Sequence, residues 1–264
     1  MEYEDNEIVT DHKGKVCTIR INRPDKANSL TPEMLMELKN QLINAQKHKK
    51  TRIIILTGTG NNFTTGMDVN TLREYDREQS AQITSTMERL GAETVRIVLN
   101  GKPVICAING RAMGMGVVYA LASDFRFAVN DATFKMPEIE ASIYPAANCI
   151  TLMTQQLGPM KTKEILMTCK KYNAQDFKNL GILNGIVGET ELIPYCIDLA
   201  KQLSRKNFQV LRFLKKNINS IPFIDSFQDA TDLEHDCFLA TFEKDKGQYM
   251  NELVAKYNLE PEPE

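Results

Sequence analysis

Histidine is scarce in this chain of 264 residues: His12, His48 and His235 are all it has, none beside another and none in a motif with cysteine or a carboxylate. That argues against a histidine-based metal site and against a catalytic triad built on histidine. The six cysteines, Cys17, Cys106, Cys149, Cys169, Cys196 and Cys237, include no Cys-x-x-Cys pair. Most sit in apolar or helical surroundings and read as reduced, buried thiols. No apolar run approaches the roughly 18 residues of a membrane span. The net charge of −2 implies no general attraction to nucleic acid. The short basic cluster Lys47, Lys49, Lys50 and Arg52 reads as a helix C-terminus with a solvated face. The acidic start, MEYEDNE, has neither signal-peptide nor transit-peptide character, so a cytoplasmic location is expected. The loop Gly58 to Val69 lacks the Gly-Lys-Ser/Thr of a P-loop and the third glycine of a dinucleotide fingerprint, which disfavours nucleotide hydrolysis. No internal repeat recurs at a fixed period. What remains, 42% hydrophobic and 25% charged, is a globular composition long enough to bury a full core.

The chain is organised around Lys102 to Asp124, KPVICAINGRAMGMGVVYALASD. A strand over Val104–Ile108, a turn through Asn109-Gly110 and Gly114-Met115-Gly116, and a short buried helix over Val117–Ala122 are predicted. Such a turn points unpaired backbone N–H groups, with the positive end of the helix dipole, at whatever lies above the helix start. The alternative is that the glycines serve only close strand–helix packing. Upstream, residues 15–22 alternate as a half-buried strand, with Cys17, Ile19 and Ile21 on one face. Thr31 caps a helix with Pro32 at its first position and Leu35, Leu38, Leu42 and Ala45 on its core face. Arg52 to Thr57 reads as a buried strand, and strand–helix–strand alternation points to parallel pairing. Residues 77–99 are expected to be helical, Phe125–Val129 a strand and Thr133–Met136 another. After Glu138 nearly everything reads as helix: 147–157, 161–168, 174–180, 191–204, 206–218 and one or two helices over 226–257. Asn173 to Asp176 has the form of a capping box.

Two loops, Phe63-Thr-Thr-Gly-Met-Asp68 and Asn109-Gly-Arg-Ala-Met-Gly-Met-Gly116, can each direct one backbone N–H at a common spot. With Asn22-Arg-Pro24 upstream and Pro137-Glu138 downstream, in this order, the chain resembles the crotonase (enoyl-CoA hydratase/isomerase) superfamily over roughly residues 8 to 255. The resemblance implies an α/β fold, a spiral of ββα units over residues 1–195. A helical C-terminal region that mediates trimer packing follows over 196–257, then a disordered acidic tail over 258–264. It implies an enzyme acting on an acyl-CoA thioester, with coenzyme A as part of the substrate and no other cofactor or metal, assembled as a homotrimer or dimer of trimers. The thioester oxygen would lie between the N–H groups of Met67 and Met115. Lys26 would approach the nucleotide end of CoA, Met67 to Val69, Asp68 among them, would contact its adenine and pantetheine, and Thr65 and Gly66 would also bind substrate or CoA. Val118 would face the substrate, and Phe242 would cover the acyl or CoA region.

Two departures bear on the chemistry. The family usually has three consecutive glycines where this chain has Gly114-Met115-Gly116, so the Met115 side chain must find room. Family hydratases use two glutamates; the first position here is Val118, the second Glu138. A lone glutamate holds a water poorly but suffices to move a proton from C2 to C4 of a 3-enoyl-CoA. Burial would raise its pKa toward the working range. A double-bond isomerase is therefore expected, with hydration as the alternative and a non-catalytic acyl-CoA-binding protein as the second. Glu138 could instead be a surface carboxylate near a turn. Glu140 would point the same way if the segment is extended. Tyr144 could donate a hydrogen bond to substrate or simply pack.

Overall fold

The computed structural model describes residues 6–68 and 76–240. Its framework is a six-stranded sheet in the order β1 (Ile8–Lys13), β2 (Val16–Ile21), β3 (Ile53–Gly58), β5 (Val104–Ile108), β7 (Phe125–Val129), β10 (Gly185–Val187). Only β1 runs antiparallel; the others pair parallel, in keeping with their near-continuous apolar sequences. A smaller sheet has the order β4 (Asn62–Thr64), β6 (Arg111–Met113), β8 (Thr133–Lys135), β9 (Tyr172–Asn173), the first three parallel.

The two sheets arise from one repeated move. A long strand of the large sheet turns sharply into a three-residue strand of the small one, and a helical segment follows. β3 and β4 lead to α2 (Arg77–Asn100), β5 and β6 to α3 (Met115–Ala122), and β7 and β8 to a 3-10 turn at Glu138–Ala141 and then α4 (Cys149–Thr168). The expected loop at 58–69 thus contains β4, and the expected turn at 109–116 contains β6. α3 opens at Met115 rather than Val117. The second half is less helical than expected, because β9 joins the small sheet and β10 the edge of the large one.

Local signals account for the helix starts. Thr31 accepts the Met34 N–H at 3.2 Å at the head of α1 (Pro32–Lys47). Asp76 forms a capping box with Gln79 on α2, and Asn173 one with Asp176 on α5 (Ala174–Asn179). α4 breaks at Gly158 (φ 74°) before Pro159, where a gap between two helices is expected. α6 (Leu192–Ser204) straddles the expected boundary at residue 196, and its buried Cys196 and Ala200 belong to the main core. Beyond it, α7 (Phe208–Ser220) is pinned by Lys215. Its ammonium donates to Asp124 at 2.7 Å and to the carbonyls of Val98 and Lys102, and Asp124 also accepts the Val104 N–H. α8 (Phe227–Ala240) follows; the expected tail over 258–264 lies outside the described residues.

His12 and His48, 36 residues apart in sequence, are brought together: their ring centroids are 4.4 Å apart and both face Thr51. Among the described residues no group of histidine, cysteine and carboxylate side chains is arranged to hold a metal ion. No helix among them is long and apolar enough to cross a membrane.

Candidate active site

Three loops leave the carboxyl ends of the adjacent parallel strands β4, β6 and β8. They carry Gly66-Met67, Gly114-Met115 and Glu138. Strand order alone therefore gathers residues that are some 70 positions apart, on the side of a parallel sheet where ligands ordinarily bind.

The first loop is set by buried polar groups. Asn28 is fully buried at positive φ (56°). Its amide donates to the carbonyls of Thr59 (3.0 Å) and Asn62 (2.7 Å), and its oxygen accepts the Arg23 N–H. Thr64 donates to Asn28 O and accepts the Gly66 N–H, so the turn into Gly66 is hydrogen-bonded on both sides. Leu30 and Met67 then form a single parallel bridge, through Leu30 N–H to Gly66 O and Asp68 N–H to Leu30 O. Asn109 plays a similar part from β5, donating to Gly60 O and Asn62 O and accepting the Gly58 N–H.

The second loop meets the first at close range. Gly66 has φ 85°, and a Cβ placed on it would lie 2.9 Å from Met113 O and 3.2 Å from Met115 N. Gly114 N–H donates to Lys135 O, tying this turn to β8. Met115 is the first residue of α3, where N–H groups have no intrahelical acceptor. Among the described residues neither the Met67 nor the Met115 N–H donates to any acceptor. The room for the Met115 side chain is found on α2: its thioether lies against Gly91, and the side chain is only 5% exposed.

Glu138 stands over the start of α3. A Cβ on Gly114 would lie 2.8 Å from its Oε1, so glycine here is what lets the carboxyl approach the helix. Its Oε2 is buried with no hydrogen-bond partner among the described residues. Desolvation pushes its pKa above the ordinary carboxylate value, and its own backbone amide offsets part of this. Cys149, at the head of α4, is also in this environment: burial, with the Glu138 charge adding to it, pushes its thiol up to about 12. Glu140 behaves differently. Residues 138–141 form a 3-10 turn rather than an extended segment, and Glu140 pairs with Lys135 at 2.6 Å on the exposed side. The expectation that it points the same way as Glu138 is therefore corrected. Tyr144 is 77% exposed and packs against nothing in the core.

The other expected residues separate into groups. Thr65 donates through both its amide and its hydroxyl toward Ala27 O at 3.3 Å, and exposed Lys26 lies just before Ala27, beside the Met67 loop. Asp68 receives the Arg23 guanidinium at 2.7 Å and the Ser29 hydroxyl at 3.2 Å, a partly buried pair that anchors the loop. Val118 is buried in α3, its N–H directed at Gly114 O. Val69 and Phe242 lie outside the described residues. Sequence reasoning missed Asn28, Gly91 and Ala147. The one signal for Gly91 was a glycine inside a helix, which needs a packing reason. Backbone strain also concentrates here: Ala27 and Asn28 beside the Met67 loop, and Ser142, Ala147 and Asn148 after Glu138, all hold positive φ.

A groove of about 1500 Å³ lies elsewhere, between α2, α4, α7 and α8. Neither Glu138 nor the two turns line it; Glu88, whose carboxylate accepts the Ala147 N–H at 3.4 Å, links its rim to the site.

Two amides with no acceptor among the described residues, on turns that touch, thus lie with one desolvated carboxyl at the same end of the small sheet. A family model described as enoyl-CoA hydratase/isomerase matches residues 11–258. The chain belongs to that family. Like other members it is an acyl-CoA enzyme with the α/β crotonase fold. It is 29% identical to crotonyl-CoA hydratase of Syntrophomonas wolfei over 221 residues, 83% of each chain. It is 27% identical to short-chain-enoyl-CoA hydratase of Clostridium acetobutylicum over 216 residues, 81% of each chain. The crystal structure of enoyl-CoA hydratase from Bacillus anthracis superposes with a TM-score of 0.84 at 27% identity, covering 98% of this chain and 100% of that one. In the crotonase fold the three ββα turns seen here are the spiral, and the helices after β10 are its C-terminal region.

Proposed function

We propose that this crotonase-family enzyme shifts the double bond of an enoyl-CoA thioester, with Glu138 as the single proton carrier. The observation that carries the reading is the pairing of one desolvated carboxyl, Glu138, with an apolar Val118 where a second carboxyl would be needed to hold water. The thioester oxygen accepts hydrogen bonds from the Met67 and Met115 amides. Glu138 takes a proton from C2 of a 3-enoyl thioester, leaving a dienolate whose charge rests on that oxygen. The same carboxyl, now protonated, returns the proton at C4 to give the conjugated 2-enoyl thioester. Each amide is worth about 3 kcal/mol of barrier if oxyanion-hole experience transfers. A raised pKa suits a group that must act as base and then as acid. Lys26, Thr65 and Gly66, along the first loop, are the residues proposed to meet the CoA moiety, with no further cofactor.

Hydration of a 2-enoyl thioester is the second reading, and the hydratase names of the relatives favour it. Mass spectrometry in ¹⁸O-labelled water separates the two. Conversion of a 3-enoyl-CoA without oxygen uptake supports isomerisation; rapid incorporation of ¹⁸O from crotonyl-CoA supports hydration. Absence of both on a panel of chain lengths removes the catalytic reading.

Assembly as a trimer or dimer of trimers is also proposed. Leu214, Ile218, Phe223 and Phe227 leave a run of apolar side chains exposed along the C-terminal helices, with Phe227 at 89%. Such a patch is unusual on a monomer. Sedimentation at micromolar concentration tests it.

A further inference from the structure

The structure assigns Gly91, a residue remote in sequence from both turns, the task of setting where the Met115 amide sits. The inference rests on the reading of that amide as a donor to the thioester oxygen. Gly91 lies well inside the 24-residue helix α2, where glycine is a poor helix former, and its φ is not in the left-handed region. No conformational need explains it. Room does: a Cβ at position 91 would lie 3.0 Å from Met115 Cε, 3.4 Å from Sδ and 3.5 Å from the Ala147 Cβ. The missing side chain on α2 is the space the additional side chain on the turn occupies.

The contact cannot relax by the two helices drifting apart. One turn further along α3, the Tyr119 hydroxyl lies 2.9 Å from Thr94 Oγ1, and Thr94 donates to Gly91 O at 2.7 Å. Met115 and Tyr119 thus share the face of α3 that meets Gly91 and Thr94 of α2, and the buried polar pair fixes the separation. On its other side the turn lies directly against the first loop. A Cβ on Gly116 would lie 2.7 Å from Thr64 O, and one on Gly66 would lie 3.2 Å from Met115 N. The turn is held between α2 and the end of β4. A side chain at 91 requires the Met115 methyl to give by a few tenths of an ångström, and the part of that push not taken up by rotation of the thioether moves the start of α3 toward the Met67 loop. Gly91 is therefore a positioning residue: it touches neither substrate nor reacting atoms.

The test uses the full chain as Gly91→Ala, Met115→Ala and both together. Gly91→Ala is expected to lower kcat several-fold to about tenfold, the scale of a displacement of a few tenths of an ångström, with KM within about twofold. Adding Met115→Ala should return kcat to within a few-fold of the Met115→Ala enzyme. A purely structural glycine predicts otherwise: Gly91→Ala would raise the urea midpoint through better helix propensity and leave kcat unchanged. That result, or strictly additive effects in the double variant, overturns the proposal. A wild-type enzyme that turns over no thioester would count against the proposed function and leave this inference to be judged by a second readout. The Met115 amide resonance should move in Gly91→Ala and move back toward the Met115→Ala reference position in the double variant; an unmoved resonance overturns it.

Discussion

Glu138→Gln should make the enzyme slower and the protein more stable at the same time. The substitution keeps the shape of the side chain and removes its charge and its basicity. On the activity side a general base contributes about 10²- to 10⁴-fold, and the neighbouring Glu140 is paired with Lys135 instead. On the stability side, Oε2 is buried without a partner among the described residues. Glutamine leaves a polar atom there as well, so the difference between the two proteins is the cost of desolvating the charge. The linkage runs in the same direction. A carboxyl whose folded pKa is raised binds its proton more tightly when folded, so its contribution to stability is complete at acid pH. It is lost as pH rises from the unfolded value through the raised folded one. At neutral pH the wild type carries that penalty and the glutamine variant does not. A rise in Tm of the glutamine variant over the wild type is therefore expected by calorimetry at pH 7. The difference between the two proteins should shrink as the pH is lowered. Turnover of a 3-enoyl-CoA by the variant at the wild-type rate would refute the assignment, and a fall in Tm at pH 7 would refute the reasoning about burial.

Further outcomes follow from the same geometry. The wild-type kcat/KM should fall as pH drops through an apparent pKa above the ordinary carboxylate range, because only ionised Glu138 accepts a proton; a flat acid limb would count against it. Gly66→Ala places a side chain at φ 85° and 2.9 Å from Met113 O, so a stability loss of about 1–2 kcal/mol and a kcat loss near 10²-fold are expected from denaturation and steady-state assays. Lys215→Met leaves Asp124, whose side chain is 18% exposed, without its cation; a loss of about 3 kcal/mol, or roughly 6–12 °C in Tm, is expected by calorimetry.

Much of the fold was legible because its signals are local. Thr31-Pro32 marks the start of α1, Asn173 and Asp176 mark α5, and Gly158-Pro159 breaks α4, each through hydrogen bonds or dihedral limits within a few residues. The apolar runs of β3, β5 and β7 were equally plain. The strands β4 and β6 were not. Three residues carry no readable period, and these exist as strands only because each has a neighbour to pair with. β10 was hidden in the same way within a segment that otherwise reads as helix and loop.

For the site, the residue types alone decided that there would be few chemical actors. With three histidines in the chain, valine at 118 and glutamate at 138, the proposed chemistry rests on backbone amides and one carboxyl. Where those groups point was decided by tertiary structure. Glu138 and Glu140 differ by two positions yet meet different partners, Gly114 and Lys135, because a 3-10 turn replaces an extended segment. The Met115 side chain avoids the space above the turn because Gly91, on another helix, has none. Chemistry belongs to the residue and can be read where it stands; direction belongs to the packing of elements distant in the chain, and only their arrangement in space supplies it.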